Sequence, residues 1–377
     1  MFLNDDGCFR KEKISDTLKS INSEAKTVCD LRESVEVSDI YIPDGSDEAW
    51  YYTHHPFMTK FKGRYYGFYS SARRNEDDIG QRVMMATSDD FKSWKIKPAV
   101  DILRGEHTDE TLTCAGVLLN GEKLTLFYFA YEYGAATVRK NEDGSDLRPE
   151  EKDSVRERRR SYYVETEDGE TWSEPVCLGG WHSGNLSPER FGNLLLWAGY
   201  GSYSYTEDLT GRGGWNTQWL RRDPESEKPR HITESAFYRT ADGTIFHLSR
   251  TDATQVFAAA SFDGGYTFTD MYRTRFTDYD AKFQCGTLPD GRYYYIGNKS
   301  RARAELFLMI SENGIDFDTH YLLGDIPYTQ KRKGMYKGGN YGYPTTYIDG
   351  EYLHVIYSRG KEALSAVRVK LTDIGVK

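Results

Sequence analysis

Thr166-Glu167-Asp168-Gly169-Glu170-Thr171-Trp172 ends one apolar strand of this sequence, and three other strands end in a similar way, at 87–94, 261–268 and 311–317. In this type of turn an acidic or amide side chain accepts hydrogen bonds from turn amides, glycine supplies a positive φ, and the aromatic ring packs between sheets. The aromatic residues fall at 94, 172, 268 and 317. The intervals from 172 to 268 and from 268 to 317 match two repeats and one repeat of propeller-blade length.

A second pattern recurs in phase with these boxes: an apolar strand, a short turn with Gly or Asp, and a Tyr-rich strand. Six copies are legible, at 55–61 with 65–71, 111–119 with 123–131, 185–190 with 194–200, 234–239 with 244–250, 282–287 with 293–298, and 343–348 with 351–359. Turns such as Pro289-Asp290-Gly291 suit hairpins. The sequence therefore predicts an all-β propeller of Asp-box repeats, with six directly legible blades in one domain over 1–377.

A propeller ring must close, because an open ring leaves unpaired strand edges. Segment 37–42 is predicted to supply a missing outer strand, 27–32 is a further candidate strand, and 14–25 has a helical pattern. The N-terminal segment 1–47 is thus expected to contribute to ring closure. The stretch 136–160 is dense in both charges and is predicted to be a surface insertion in the second blade.

Composition excludes several classes of protein. A net charge of −9 argues against general nucleic-acid binding, and no stretch approaches the roughly 18 apolar residues of a membrane span. The five cysteines are scattered without a CxxC pair, so we expect buried reduced thiols and no zinc site. No secretory signal is visible, which predicts a cytoplasmic protein, or a secreted or periplasmic one if a leader was removed. We expect no cofactor, and a structural divalent cation such as calcium in the channel is the alternative.

The first strand of each blade lines the central channel, so the funnel at its mouth is the expected site. His54 and His55 precede Pro56 at the start of one first strand. An imidazole titrates near neutral pH, which makes either histidine a candidate base. The acidic run at 76–78 is interpreted as part of a solvated loop.

Other candidates are polar or charged side chains on or near first strands. The basic candidates, which would bind a carboxylate, are Arg82, Arg190, Arg250, Lys282 and Lys337. Further substrate contacts are assigned to Asn185, Glu234 and Gln284, and Tyr238 or Tyr343 is the candidate acid. These groups in an acidic protein predict an acidic oligosaccharide or polysaccharide as the partner.

Taken together, segments 53–56, 80–83, 185–190, 233–239, 282–298, 337–344 and 357–361 resemble the sialidase-like Asp-box propellers. More closely, they resemble the L-rhamnose-α-1,4-D-glucuronate lyases and the related rhamnosidase and ulvan lyase propellers. That resemblance implies seven blades, a positively charged cleft and β-elimination next to a uronic acid. It also implies that a His/Tyr pair abstracts the C5 proton while arginine neutralises the carboxylate. His54 and His55 fall on the histidine of that family's first strand.

The sequence departs from this pattern, and two alternatives stay open. The strand at 67–74 lacks a second histidine, and Gln284 stands where a histidine can occur. A sialidase-like hydrolase would carry three arginines, a Tyr/Glu pair and Arg-Ile-Pro; the nearest string here is Tyr41-Ile42-Pro43, and Glu234 with Tyr238 are the candidates for the pair. A non-catalytic glycan-binding propeller is the third interpretation.

Overall fold

A computed structural model describes residues 11–97, 110–134, 139–140, 146–147, 156–182, 184–224 and 231–376. These residues form six sheets of four or five strands around a central channel. Within each sheet, consecutive strands pair antiparallel from the channel outward, as short hairpins require. We number the sheets as blades 1 to 6 in chain order of their inner strands.

The strands of blades 1 to 3, from the channel outward, are Tyr52–Phe61, Arg64–Ala72, Arg82–Ser88 and Lys95–Lys97; Thr111–Asn120, Lys123–Tyr133, Arg156–Thr166 and Val176–Cys177; and Glu189–Phe191, Leu194–Ala198, Ser202–Thr206 and Asn216–Trp219. Those of blades 4 to 6 are Ile232–Arg239, Ile245–Thr251, Gln255–Ser261 and Tyr272–Thr277; Gln284–Thr287, Tyr293–Gly297, Leu306–Ser311, Thr319–Gly324 and Thr27–Asp30; and Gly342–Asp349, Tyr352–Arg359, Ala363–Lys370 and Glu36–Tyr41. Outside the blades lie the hairpin Arg139–Lys140 with Asp146–Leu147, the helix Lys11–Ser20, and two 3-10 turns at Arg301–Arg303 and Leu371–Ile374.

The N-terminal segment closes the ring. Glu36–Tyr41 pairs antiparallel with Ala363–Lys370 as the outer strand of blade 6, and Thr27–Asp30 adds a parallel strand to blade 5. The inner strands of blades 6 and 1 then meet directly, since the Thr345 hydroxyl donates to the Pro56 carbonyl at 2.9 Å. The described chain therefore forms six blades, as the hairpins predict, and the seven blades implied by the family resemblance are corrected because this contact leaves no gap.

The Asp-box turns have the predicted geometry. Asp168 Oδ1 accepts hydrogen bonds from the amides of Glu170 and Thr171 at 2.8 and 2.7 Å. Trp172 packs edge-on against Phe68 of the neighbouring blade, with ring centres 5.7 Å apart. Trp94 likewise crosses a blade boundary, because its indole N–H donates to the hydroxyl of Ser38 in blade 6.

Blade 3 carries a degenerate Asp-box that is not among the four predicted from the sequence. Asp208 Oδ1 accepts from the Thr210 amide at 2.9 Å, and the indole of Trp215 donates to the Gly211 carbonyl. The motif escaped notice because Leu209 replaces the glycine and the tryptophan comes three residues later than in 166–172.

The inner strands are irregular near the funnel. Register shifts fall between His54 and Phe57, between Ile232 and Ser235, and between Gly342 and Thr345. Bulges of this kind re-aim side chains and are common beside active sites. They turn the first residues of these strands toward the channel.

Four of the five cysteines fall in the described part of the chain, and all four are free thiols. Cys114 and Cys285 are buried as predicted, Cys29 is partly exposed and Cys177 is exposed, while Cys8 lies outside the described residues. Within the described ranges, no helix has both the length and the apolar character needed to span a bilayer.

The predicted insertion 136–160 falls mostly outside the described residues. Its last five residues belong to the third strand of blade 2, Arg156–Thr166.

Candidate functional site

A buried tyrosine and a buried carboxylate meet at the centre of the funnel. Tyr343, at the start of the inner strand of blade 6, has a φ of +53° and donates its hydroxyl hydrogen to Glu234 Oε1. Arg250, on the second strand of blade 4, donates from Nη1 to Glu234 Oε2 at 2.7 Å and to the Tyr343 hydroxyl at 3.0 Å. Its guanidinium also pairs with Asp280 at 2.6 Å. The three groups form one hydrogen-bonded unit drawn from two blades.

The charges of this unit are well defined at neutral pH. Burial opposes ionisation of Glu234, but Arg250 and the Tyr343 hydroxyl hold the pKa of its carboxyl at about 2. Burial, and then the charge of Glu234, raise the pKa of Tyr343 well above its usual range. A protonated phenol thus faces an ionised carboxylate that is placed to take its proton, the arrangement of an activated nucleophile.

Positive charge surrounds the Tyr343 ring. Besides Arg250, the charged groups of Lys282, Arg303 and Lys361 lie 5.3, 5.4 and 5.9 Å from its ring centre. Lys282 is wholly buried and donates to the Asn185 carbonyl at 3.0 Å; burial lowers the pKa of its amine to about 7, although Glu234 opposes this. Such a concentration of cations in a protein of net charge −9 favours an anionic ligand at this point.

The two candidate histidines occupy different environments. His54 is fully buried, with Nδ1 2.7 Å from Ser358 Oγ and its ring centre 4.0 Å from that of Tyr343. His55 lines the funnel, with its ring centre 5.5 Å from Tyr343 and Nε2 4.0 Å from Glu76 Oε1. Burial lowers the pKa of His55 to about 4 although Glu76 and Asp77 oppose this, and burial also lowers the pKa of His54 well below its usual range. Both imidazoles are therefore neutral at pH 7, and His55 is the one that faces the channel.

Two cavities open from this centre. One, of about 390 Å³, has His55, Glu76, Asp77, Thr113, Glu234 and Tyr343 in its lining, and its other walls are aromatic or basic, formed by Phe129, Tyr131, Arg156, Arg159, Trp181, Tyr200 and Trp219. The other, of about 450 Å³, is lined by polar and charged groups that include Asp252, Tyr279, Asp280, Arg303 and Lys361. The Lys361–Glu76 ion pair of 2.6 Å joins the two linings. Aromatic walls beside a charged centre suit a sugar chain, whose rings stack on aromatic faces.

The assignment of Tyr238 as an acid is corrected. Its ring is buried against Phe246 and Phe317, and its hydroxyl donates to the Gly314 carbonyl at 2.7 Å. Tyr238 lies near the turn end of its strand, far along the blade from Glu234, so the tyrosine that reaches Glu234 comes from blade 6.

Three basic candidates also lie away from the centre. Arg190 is exposed one residue from its hairpin end and donates to the Gly192 carbonyl, because the funnel lies at the other end of that strand. Lys337 is part of the lining of the 450 Å³ cavity, but its amine is buried and pairs with Glu362 at 2.9 Å instead of reaching the centre. Arg82 donates to the Gln81 and Glu110 carbonyls and so ties backbone segments together.

Asn185 and Gln284 have structural hydrogen bonds. The Asn185 amide group donates to the Ser235 carbonyl and accepts from the Ser235 amide, which joins blades 3 and 4. Gln284 accepts from the Thr346 amide and lines a cavity of about 240 Å³ at the turn end of the channel, together with Glu189.

Sequence reasoning missed several residues of the funnel. The acidic run interpreted as solvated is largely buried: Asp77 and Asp78 are 9% and 2% exposed, and Asp77 pairs with Arg156 at 2.8 Å. Arg303 comes from an irregular turn, and Trp219 from the end of an outer strand. Neither Arg303 nor Trp219 lies in a segment with a periodic pattern. Only the segment of Asp77 and Asp78 had a signal in the sequence, the clustering of charge at 73–78.

Comparison with known proteins gives a family for this chain and solved structures of similar fold. The family described as BNR repeat-like domain matches residues 68–355. Among proteins with curated descriptions, none matches the chain significantly.

Solved structures of the same fold include a protein of unknown function from Dyadobacter fermentans, with a TM-score of 0.65 and 16% identity over 89% of this chain and 98% of that one. The intramolecular trans-sialidase from Ruminococcus gnavus, in complex with oseltamivir carboxylate, has a TM-score of 0.60 and 12% identity over 90% and 98% of the two chains. A protein titled sialidase has a TM-score of 0.60 and 16% identity over 93% of this chain, and the match covers 34% of the length of that protein. At these identities the similarity concerns the fold.

Proposed function

This chain belongs to the BNR repeat-like domain family, and we propose that it is a glycoside hydrolase that releases an acidic sugar from a glycan. The observation that carries this proposal is the Tyr343–Glu234–Arg250 unit at the funnel centre. Sialidases are glycosidases that use a tyrosine nucleophile, and the structures titled sialidase and trans-sialidase share this fold.

In the proposed reaction the Tyr343 oxygen attacks the anomeric carbon while Glu234 takes the phenolic proton. The bond between the anomeric carbon and the leaving oxygen breaks, and that oxygen receives a proton from an acid. Asp77 lines the same cavity as Tyr343 and is the proposed acid, in the protonated form that it takes when a bound substrate separates it from Arg156. Water then attacks the same carbon while the Asp77 carboxylate takes its proton; the bond between that carbon and the Tyr343 oxygen breaks, and Glu234 returns the phenolic proton to Tyr343. A neutral phenol suits this task, because an anionic nucleophile would be repelled by a carboxylate on the sugar.

The cations around Tyr343 are the proposed contacts of the substrate carboxylate. Arg250 and Arg303 are both able to grip a carboxylate with two hydrogen bonds, and Lys361 adds a third charge. The Asp280 carboxylate accepts a hydrogen bond from Arg250, and the Asp280 backbone carbonyl accepts one from Arg303. A substrate carboxylate would therefore compete with Asp280 for Arg250.

The test is release of aryl alcohol from a panel of aryl glycosides of acidic sugars, sialosides and glucuronides included, with aryl galactoside as the neutral match. The proposal expects release from at least one acidic glycoside at a rate at least 10²-fold above that from the neutral one. Equal release from both would contradict the role of the cations. No release from the acidic panel would favour a glycan-binding propeller.

A second candidate, removal of terminal rhamnose from glucuronate by β-elimination, has one observation in its favour. His55 lies beside Tyr343, with ring centres 5.5 Å apart, so a His/Tyr pair is present at the centre. Elimination leaves a C4=C5 double bond conjugated to the carboxylate, which absorbs in the ultraviolet, whereas hydrolysis leaves none. Incubation with a rhamnose-capped glucuronate glycan distinguishes the two: free sugar with new absorbance would replace the hydrolase by the lyase.

A further inference from the structure

Three metal-ligand side chains converge at the edge of the funnel. His54 and His55 start the inner strand of blade 1, and Glu76 lies in the loop between its second and third strands. One donor atom from each of the three lies within 4.8 Å of the other two. A tetrahedral ion with bonds of about 2.0–2.2 Å spaces its ligand atoms roughly 3.4 Å apart, so an approach of at most about 1.4 Å between the donor atoms would complete the site.

The hydrogen bonds of His54 leave one ring nitrogen ready for a metal. The Ser358 hydroxyl donates to the Gly342 carbonyl at 3.2 Å, so it accepts from His54 Nδ1–H at 2.7 Å. This fixes the tautomer and places the lone pair on Nε2. His54 is fully buried, and its Nε2 has no hydrogen-bond partner among the described residues. A ligating histidine is usually held in this way by a partner on its other nitrogen.

His55 also has a ring nitrogen without a hydrogen-bond partner among the described residues. That nitrogen, Nδ1, is buried. Two neighbouring imidazoles with ring centres 4.7 Å apart, both with unsatisfied nitrogens, are costly unless something else binds them.

We propose that His54, His55 and Glu76 bind one divalent transition-metal ion of the zinc class. Two nitrogen donors and one carboxylate match the ligands of zinc, with a fourth position left for water or substrate. Calcium takes six to eight oxygen ligands, so the calcium named as the alternative to no cofactor does not fit these donors. The site goes beyond the proposed hydrolase and does not depend on it.

Metal binding is coupled to Lys361. Its amine pairs with Glu76 Oε2 at 2.6 Å, next to the carboxylate oxygen nearest His55. The amine repels a metal ion and competes for the carboxylate. Removal of this amine should therefore strengthen metal binding, whereas removal of a ligand should weaken it.

The experiment is isothermal titration calorimetry of the metal-free full chain with zinc chloride. A second titration with Co²⁺ is followed by the visible absorbance of a nitrogen-bound ion. We expect one saturable site. His54→Gln and Glu76→Gln should each weaken zinc binding at least tenfold, and Lys361→Met should tighten it several-fold. His354→Gln is the matched control, because His354 is also fully buried and neither of its ring nitrogens has a partner among the residues that the structure describes, but it lies in blade 6 outside the cluster.

Melting temperatures show which variants fold. If a histidine variant does not fold, the Lys361→Met variant still tests the proposal. Absence of saturable zinc binding to the wild type would overturn the proposal. Equal weakening by His354→Gln, or weaker binding by Lys361→Met, would also overturn it. Because no substrate is present, failure here leaves the hydrolase proposal untouched, and failure of glycoside release leaves this one untouched.

Discussion

Tyr343→Phe is the perturbation that separates chemistry from folding most cleanly at this site. The change removes one hydroxyl, with one hydrogen bond donated to Glu234 and one accepted from Arg250 at 3.0 Å. Glu234 keeps its bond to Arg250 at 2.7 Å, so no buried charge is left unpaired. We therefore expect a loss of only about 1–2 kcal/mol in the free energy of unfolding.

The expected effect on catalysis is far larger. Without the oxygen nucleophile the covalent step is lost, and kcat/KM should fall by about 10³-fold or more, which is roughly 4 kcal/mol of transition-state stabilisation. KM should change little, because the cations around the ring remain. The assay is the initial rate of release from the best acidic aryl glycoside, with chemical denaturation to measure stability.

Tyr238→Phe is the matched control. It removes an equally buried hydroxyl, which donates to the Gly314 carbonyl at 2.7 Å in the same propeller. It should cost similar stability and leave kcat/KM unchanged. A Tyr343→Phe enzyme that keeps more than a tenth of wild-type kcat/KM would refute the nucleophile assignment, and so would equal losses in the two variants.

Three further outcomes follow from the structure. Burial raises the pKa of the Glu189 carboxyl from 4.5 to about 8, so the folded chain binds an extra proton between these values and stability falls as pH rises through them. Glu189→Gln should flatten that slope and add about 1–3 kcal/mol to the free energy of unfolding at pH 8, measured by denaturation at pH 5 and 8. Gly169 and Gly264 each directly follow the aspartate of their box, at φ +79° and +82°, but an added Cβ would lie 1.9 Å from the Tyr66 hydroxyl at Gly169 and in open space at Gly264. Gly169→Ala should thus cost about 2–4 kcal/mol and Gly264→Ala about 1 kcal/mol, and equal costs would contradict the packing described. With the pKa of Lys282 at about 7, its charge is present below that pH and lost above it, so KM for an acidic glycoside should rise between pH 6 and 8, whereas KM of Lys282→Met should not follow this pH dependence.

The fold was predictable because its signals are local. Each box folds its own turn, as Asp168 does with two amides within three residues, and each hairpin joins neighbours in sequence. The number of blades also followed from the repeats themselves. The family resemblance, which implied one more blade, was the less reliable guide.

The funnel was predictable only in part. Glu234, Arg250, Lys282, Tyr343 and His55 were found because inner and second strands approach the channel in a regular way. Their partnership was not found, since Tyr343 and Glu234 are 109 residues apart and only closure of the ring brings them together. Tyr238 was chosen instead because it shares a strand with Glu234.

The remaining errors have two physical causes. Bulges at the funnel ends of the strands break the alternation of faces, so the orientation of His54 and His55 could not be counted from the sequence. Arg303 and Asp77 come from irregular segments, where neither period nor composition indicates which side chains turn inward.

The fate of solvent oxygen tests the central claim most directly. The wild-type chain is incubated in H₂¹⁸O with the acidic glycan that it cleaves, and the products are analysed by mass spectrometry and ultraviolet absorbance. A hydrolase that works through Tyr343 places one ¹⁸O atom on the anomeric carbon of the released acidic sugar and produces no new absorbance. An unlabelled sugar that carries a C4=C5 double bond and absorbs in the ultraviolet would contradict the account.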